Sequence, residues 1–324
     1  MKQFIIPVFF MGLLLSSCSD DECESLVNED LVPVMFSPIV ADINQVDTRA
    51  VKTTWAQGDQ IAIFSDIAVK KDGNTSTSSI TYTRGATEGT WNSPSEDERW
   101  YFADAVNQHN CYAYYPVGTA TRYTAVELPD ISGQDATKTL TTLKEEKDFM
   151  RGAAVVTKGN IAASLQMFRV FTIINFKIKL KLNAFTSNAA TLSEIKLIST
   201  GSLPLVNPTT NDKATVDLSN GQITCTTGLT SPTFRPASGI ALSTTEVSIP
   251  VKIYAHRSTI QVQFTIDGKT STTQTLSTTN FVGGRIYNYS VEVNAGLSQL
   301  GIGDPIIFDW MNSDGTPISP VIPN

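Results

Sequence analysis

Alternation of apolar and polar residues at every second position is the feature that most restricts the fold of this chain. Ile174, Phe176, Ile178, Leu180 and Leu182 are separated by Asn175, Lys177, Lys179 and Lys181. Successive side chains of an extended strand point to opposite faces, so this run predicts a half-solvated strand with cations on its outer side. The same period recurs in Val247, Ile249, Val251 and Ile253, in Ile260, Val262, Phe264 and Ile266, and in Tyr287, Tyr289, Val291 and Val293. Asp267-Gly268, directly after the third of these runs, is a favoured two-residue hairpin turn. Shorter strand candidates are Gln60 to Phe64, Ile80 to Thr83, Trp100 to Ala103, Cys111 to Tyr115 and Ala153 to Thr157. Only Thr139 to Phe149 could form a turn or two of helix.

Short strands at fairly regular intervals predict an all-β protein built from antiparallel sandwiches rather than βαβ units. A length of 324 residues with 41% hydrophobic content is enough for two cores of ordinary size. The turn signal Lys158-Gly159-Asn160 precedes the Ile161 to Leu182 strand region. It divides the expected domains into an N-terminal sandwich over residues 50–159 and a C-terminal sandwich with a tail over residues 160–324.

The N-terminus carries a different signal. Lys2 is followed by the apolar stretch Phe4 to Leu15, too short to span a bilayer, and then by Leu15-Ser16-Ser17-Cys18. Residues 1–18 are therefore expected to be a lipoprotein signal peptide that leaves Cys18 as the lipidated first residue, against the alternative of an ordinary secretory signal with a chance cysteine. Several acyl chains anchor far better than one. Residues 19–49 follow as an acidic spacer, beginning Ser19-Asp20-Asp21-Glu22, and a first strand.

A net charge of −7 without a block of Lys or Arg argues against nucleic acid as a partner. Reactive groups do not converge. His109 and His256 each stand alone, which disfavours a histidine metal cage, and GxSxG, phosphate-loop and HExxH patterns are lacking. Asp72 to Ser76 lacks the remaining acidic ligands of a calcium loop, and Glu96 to Glu98 form a charged, solvated loop. The expectation is a protein without catalytic residues, metal or cofactor. Trp55, Trp91, Trp100 and Trp310 are either core residues or the lining of a sugar site. Cys111 and Cys225 leave a disulfide open, since sequence does not fix the geometry.

A more specific pattern runs through the chain. Thr48-Arg49-Ala50, Thr54-Trp55, Gly58 to Phe64, Tyr112 to Pro116, Asp148-Phe149-Met150 and Gly283-Gly284-Arg285-Ile286-Tyr287-Asn288-Tyr289 occur in the order found in fimbrillin-like proteins, the subunits of type V pili, which the sequence resembles. It departs at Met167-Phe168-Arg169, where relatives often have Phe-x-His. The resemblance implies two consecutive transthyretin-like sandwiches. It also implies export to the outer membrane and cell surface, cleavage between Arg49 and Ala50, and polymerisation with other pilus subunits by strand exchange in the service of adhesion.

In that scheme the strand containing Val34, Phe36 and Ile39 is removed with the lipid anchor, and a neighbour's strand fills the vacated groove. Donor candidates are Ile306, Phe308 and Trp310, then Ile318 and Ile322. Pro317, Pro320 and Pro323 remove ladder donors from the last segment. Alternatively, the tail packs on its own domain. The contrasting reading is an anchored monomer that binds glycans. A host or bacterial surface ligand is left unidentified.

Overall fold

The computed structural model describes residues 31–40, 54–68, 70–71, 78–102, 108–157, 159–185, 188–207, 213–255, 257–297 and 300–310. The first strands are β1 (Met35–Val40), β2 (Gln60–Ser65), β3 (Ile80–Arg84), β4 (Trp91–Asn92), β5 (Gln108–Tyr115) and β6 (Val126–Glu127). The one helical stretch among the described residues, α1 (Leu140–Glu145), is capped by Thr139, whose hydroxyl accepts from the Thr142 N–H. There follow β7 (Met150–Thr157), β8 (Ala162–Arg169), β9 (Phe171–Leu180) and β10 (Ala190–Ser199). The short strands β11 (Thr215–Val216), β12 (Ile223–Thr224), β13 (Thr233–Phe234) and β14 (Ile240–Leu242) lead to the long β15 (Val247–Tyr254) and β16 (Ile260–Ile266). The last described strands are β17 (Lys269–Thr270), β18 (Gln274–Thr275), β19 (Arg285–Val293), β20 (Gly301–Ile302) and β21 (Ile306–Asp309).

The protein is all-β. One sheet runs β1-β8-β7-β5-β2-β3-β4 and a second runs β15-β9-β19-β20, with β21 also on β19. A third runs β13-β10-β16-β17, with β14 on β10 and β18 on β16, and a small one runs β12-β11-β6. All four long alternating runs form strands, the first only as far as Leu180, with Leu182 exposed in the turn beyond it. Those of β9, β15 and β19 share a sheet, and β16 faces them, so that Phe176 and Phe264 meet edge-to-face at 5.3 Å. Asp267 and Gly268 take φ of 48° and 73°, the left-handed pair that a tight β16–β17 hairpin requires.

Buried side chains form two clusters. One holds Ile61, Ile63, Trp100, Cys111, Leu165 and Met167 on one face of the seven-stranded sheet. The other covers the opposite face through Phe64, Tyr114 and Leu143 and continues into the facing sheets around β9 and β16. Being covered on both faces, β2 is buried from Ile61 to Ser65.

Four expectations change. The turn at Gly159 and Asn160 joins β7 to β8, which are neighbours in one sheet. The region Ile161 to Leu182 is two strands, and the chain crosses between sheets at Val170, whose N–H bonds to the Phe149 carbonyl at 3.0 Å. The cause is a change of phase: Ala163, Leu165 and Met167 point into one core, whereas β9 buries residues continuously from Phe171 to Phe176 in the other. Secondly, β9 is half-solvated only from Lys177 onward. Its first half is covered on the outer side too, where Gln134 bonds both the N–H and the carbonyl of Lys252, opposite Ile173 on β15. Thirdly, pairing is not wholly antiparallel, because β1–β8 and β9–β19 are parallel. Their partners lie far apart in sequence, which a hairpin cannot join. Lastly, Trp100 to Phe102 is no strand but meets the chain at Pro33 through one bridge to Tyr101. Cys111 and Cys225 are free thiols, so no disulfide joins them.

Gly283 shows why the Gly-Gly-Arg block has glycines. A Cβ there would fall onto the Arg169 backbone carbonyl, and Gly284 takes φ +75°. Gly283→Ala is expected to lower stability by about 1–3 kcal/mol through overpacking. Gly303→Ala, with open space at its Cβ, should stay within about 0.5 kcal/mol. Urea midpoints of the two variants check this.

Candidate functional site at two sheet edges

The N-terminal edge is built by β1. Its burial alternates, with Val34, Phe36, Pro38 and Val40 turned inward and Met35 and Ile39 outward. Ile39, a member of the strand expected to be removed, is 52% exposed and lies on its outer side. The reason is the period of two, which puts Pro38 rather than Ile39 on the side of Phe36. Proline is tolerated because the strand lies at an edge. Phe36 reaches across the core to Tyr82, ring centroids 4.9 Å apart.

Two seams hold the strand. On one side it runs parallel to β8 over six positions, from Met35 beside Ala162 to Val40 beside Met167. On the other, Val34 donates to the Trp100 carbonyl at 2.8 Å and Phe102 donates to the Val32 carbonyl at 3.0 Å. The strand is therefore a closing stave, and its inner side chains complete the cluster around Trp100 and Leu165.

The second edge is β21, antiparallel to β19 with Phe308 beside Ile286. Ile306 is 52% exposed, while Asp309 is buried and accepts from Arg285 at 2.7 Å. Trp310 is fully buried, and its N–H donates to the Gly284 carbonyl at 2.8 Å. Its ring lies under two cations, with the Arg169 guanidinium 5.7 Å and Lys252 Nζ 5.1 Å from the centroid. Arg169 is tied to Asp148 at 2.9 Å, and Lys252 Nζ donates to the Glu146 carbonyl. The Ile306–Trp310 segment thus packs on its own sheet. Sequence reading attached no role to Arg169, although its departure from Phe-x-His marked the position.

Burial is the largest influence on Lys252 and brings its pKa down to about 8, opposed by Asp148 and Glu146 and aided by Arg169. Lys144 falls to about 8 as well, through burial and then Arg169. Both native values lie below the unfolded one of 10.5, so the unfolded chain binds more protons above pH 8 and stability must rise with pH there. Burial keeps Tyr82, Tyr254 and Tyr289 un-ionised past the ordinary value of 10.0. They reverse the trend once unfolded tyrosines ionise. Burial also pushes the Cys111 thiol up from 9.0 to about 12, which opposes the lysines earlier, so the melting temperature is expected to climb from about pH 8, peak between about pH 9 and pH 10, and then fall. In Lys252→Met the climb should be shallower, as a melting series in pH would read.

The remaining sequence candidates are dispersed. Cys18, Arg49, Ala50, Ile318 and Ile322 lie outside the described residues, as do residues 72–77 and the His256 side chain. His109 is buried against Phe102, ring centroids 4.7 Å apart, which makes it a packing residue. Trp100 and Trp310 are core, and Trp55 meets Trp91 edge-to-face at 5.3 Å. Glu96 and Asp97 share Lys71 on the surface. Among the described residues, His, Cys, Asp and Glu form no group able to hold a metal ion. Nor is any described helix long and apolar enough to cross a membrane.

A family model described as fimbrillin-like matches residues 48–310. The chain belongs to the fimbrillin-like family. The match ends at Trp310, so it contains β21, and it begins after β1. Among solved structures, a candidate cell adhesion protein from Bacteroides ovatus aligns with 88% of this fimbrillin-like chain and 99% of its own, at 18% identity and a TM-score of 0.51. One from Bacteroides uniformis aligns over 86% and 99%, at 22% identity and a TM-score of 0.51. These likenesses speak for the fold. No curated protein matches the chain.

Proposed function

We propose that this chain is a non-catalytic subunit of a surface fibre serving cell adhesion. It is exported as a lipoprotein anchored through Cys18 and assembles with other subunits after cleavage between Arg49 and Ala50. Membership of the fimbrillin-like family supports the fibre role. The observation that carries the mechanism is the seat of β1, an apolar edge strand that fills a groove between β8 and the Trp100 segment. Main-chain pairing plus alternate side-chain pockets is the chemistry of strand addition, so another chain's strand can take the same place.

The domain division follows the larger sheets, with β6 pairing to β11 across it. We place the N-terminal sandwich before Val170 and the C-terminal one after it, with residues 1–49 as the segment removed. Because Ile306 to Trp310 completes its own sheet, the donor is assigned to the stretch containing Ile318 and Ile322.

The test treats purified precursor with an Arg-specific protease, sequences the new N-terminus and looks for SDS-resistant ladders. Expected are a start at Ala50 and multimers. A product that starts at Ala50 but stays monomeric overturns strand exchange, and resistance at Arg49 overturns the processing step.

A further inference from the structure

A cleft of about 680 Å³ opens where β7 and β8 approach the loops before β11 to β12, after β15 and before β19. That volume is ordinary for a small-molecule site. Among the described residues its walls contain three arginines, Arg151, Arg169 and Arg257, and no Asp or Glu, in a chain whose net charge is −7. Such a local excess of cations on an acidic protein focuses an attractive field for anions.

The arginines differ in what they can offer. Arg169 is committed to Asp148 and Trp310. Arg151 gives one N–H to the Leu218 carbonyl at 2.9 Å, has Asp217 nearby, and makes no other hydrogen bond among the described residues. Its guanidinium lies against Gly221, whose φ of +77° and missing side chain leave the room; a Cβ there would collide with it. Arg257 is exposed and forms no ion pair among the described residues. A guanidinium has five donors in a planar fork suited to a carboxylate.

The rest of the lining is amphipathic. Phe168 is 44% exposed on β8, and Leu203 at 44% and Val282 at 36% are further large apolar residues left open at the same cleft. Gln222 and Asn280 add exposed amides. An aromatic face for a sugar ring, amides for hydroxyls and a guanidinium fork for an acid meet in one concavity.

We propose that this cleft binds an acidic saccharide, with the carboxylate held by Arg151 and Arg257 and a ring face against Phe168. No residue of β1 lines the cleft, so titration of the uncleaved chain tests this site apart from the assembly mechanism.

The experiment titrates the purified full chain by calorimetry with a uronic-acid trisaccharide, its neutral hexose counterpart, and citrate. The acid sugar is expected to bind at least tenfold tighter than either control. Arg257→Gln and Phe168→Ala, both at exposed positions, should each weaken it about tenfold while leaving the melting temperature unchanged. Arg151→Gln should abolish binding. Should that variant fold poorly, the two exposed variants still decide. Equal affinity for acid and neutral sugars, citrate binding as tightly as the sugar acid, or binding unaffected by Arg257→Gln would each overturn the proposal.

Discussion

A form of the protein that begins at Ala50 is expected to bind an apolar dye, associate on concentration, and return to a monomer when a peptide of residues 32–41 is added. Val34, Phe36 and Val40 are each at most 5% exposed. Burying a side chain of that kind contributes about 1.5–3 kcal/mol, so losing all three forfeits roughly 4.5–9 kcal/mol. That is comparable with the whole stability of a domain. Leu165 and Met167 on β8 would lose their cover, and β8 would become a long apolar edge, a template for pairing. Light scattering and dye fluorescence read the result. A peptide carrying Met35→Ser and Ile39→Ser should rescue as well as the natural one, since both residues point outward. One carrying Phe36→Asp should fail. A shortened chain that stays monomeric at the full-length melting temperature would refute the closing role of β1.

Trp310→Ala is the second large effect, a loss of about 3–5 kcal/mol for removing a fully buried indole. More than a cavity is involved. Lys252 Nζ and the Arg169 guanidinium both lie over the ring, 5.1 and 5.7 Å from its centroid, and without it the two cations keep their burial cost but lose a favourable π face. Ile306→Ala, on the exposed side of β21, should change stability by less than about 0.5 kcal/mol. Denaturant unfolding of both variants gives the contrast. A Trp310→Ala protein within 1 kcal/mol of the parent would mean that β21 is not anchored in its own sheet.

The strands that could be read directly from sequence are those whose alternation is long. For β16, the pattern Ile260, Val262, Phe264, Ile266 is a complete statement of one buried and one wet face, and its turn residues state the hairpin. The reading failed where a strand is covered on both sides. The first half of β9 loses its alternation through Asn175, which looks solvated in sequence but is 1% exposed and donates to Asn288 at 2.6 Å. A buried amide with its partner 113 positions away has no local signature. The same holds for the crossing at Val170, where the strand-like residues on either side, Phe168 and Phe171, give no local sign of a change of sheet.

The edges divide in the same way. The apolar composition of Val34, Met35, Phe36 and Ile39 marked this stretch as a strand, while which of its residues face inward follows from the phase of the extended backbone in the fold. Local composition determined the all-β class as well, because strand periodicity and turn residues act over a few positions. Only tertiary structure decided that β1 lies parallel to β8, that Trp310 meets both Arg169 and Lys252, and that three arginines line one cleft with no acid among its described residues. Those are contacts between residues tens to hundreds of positions apart, and their energies depend on burial and distance, which no run of neighbouring residues encodes.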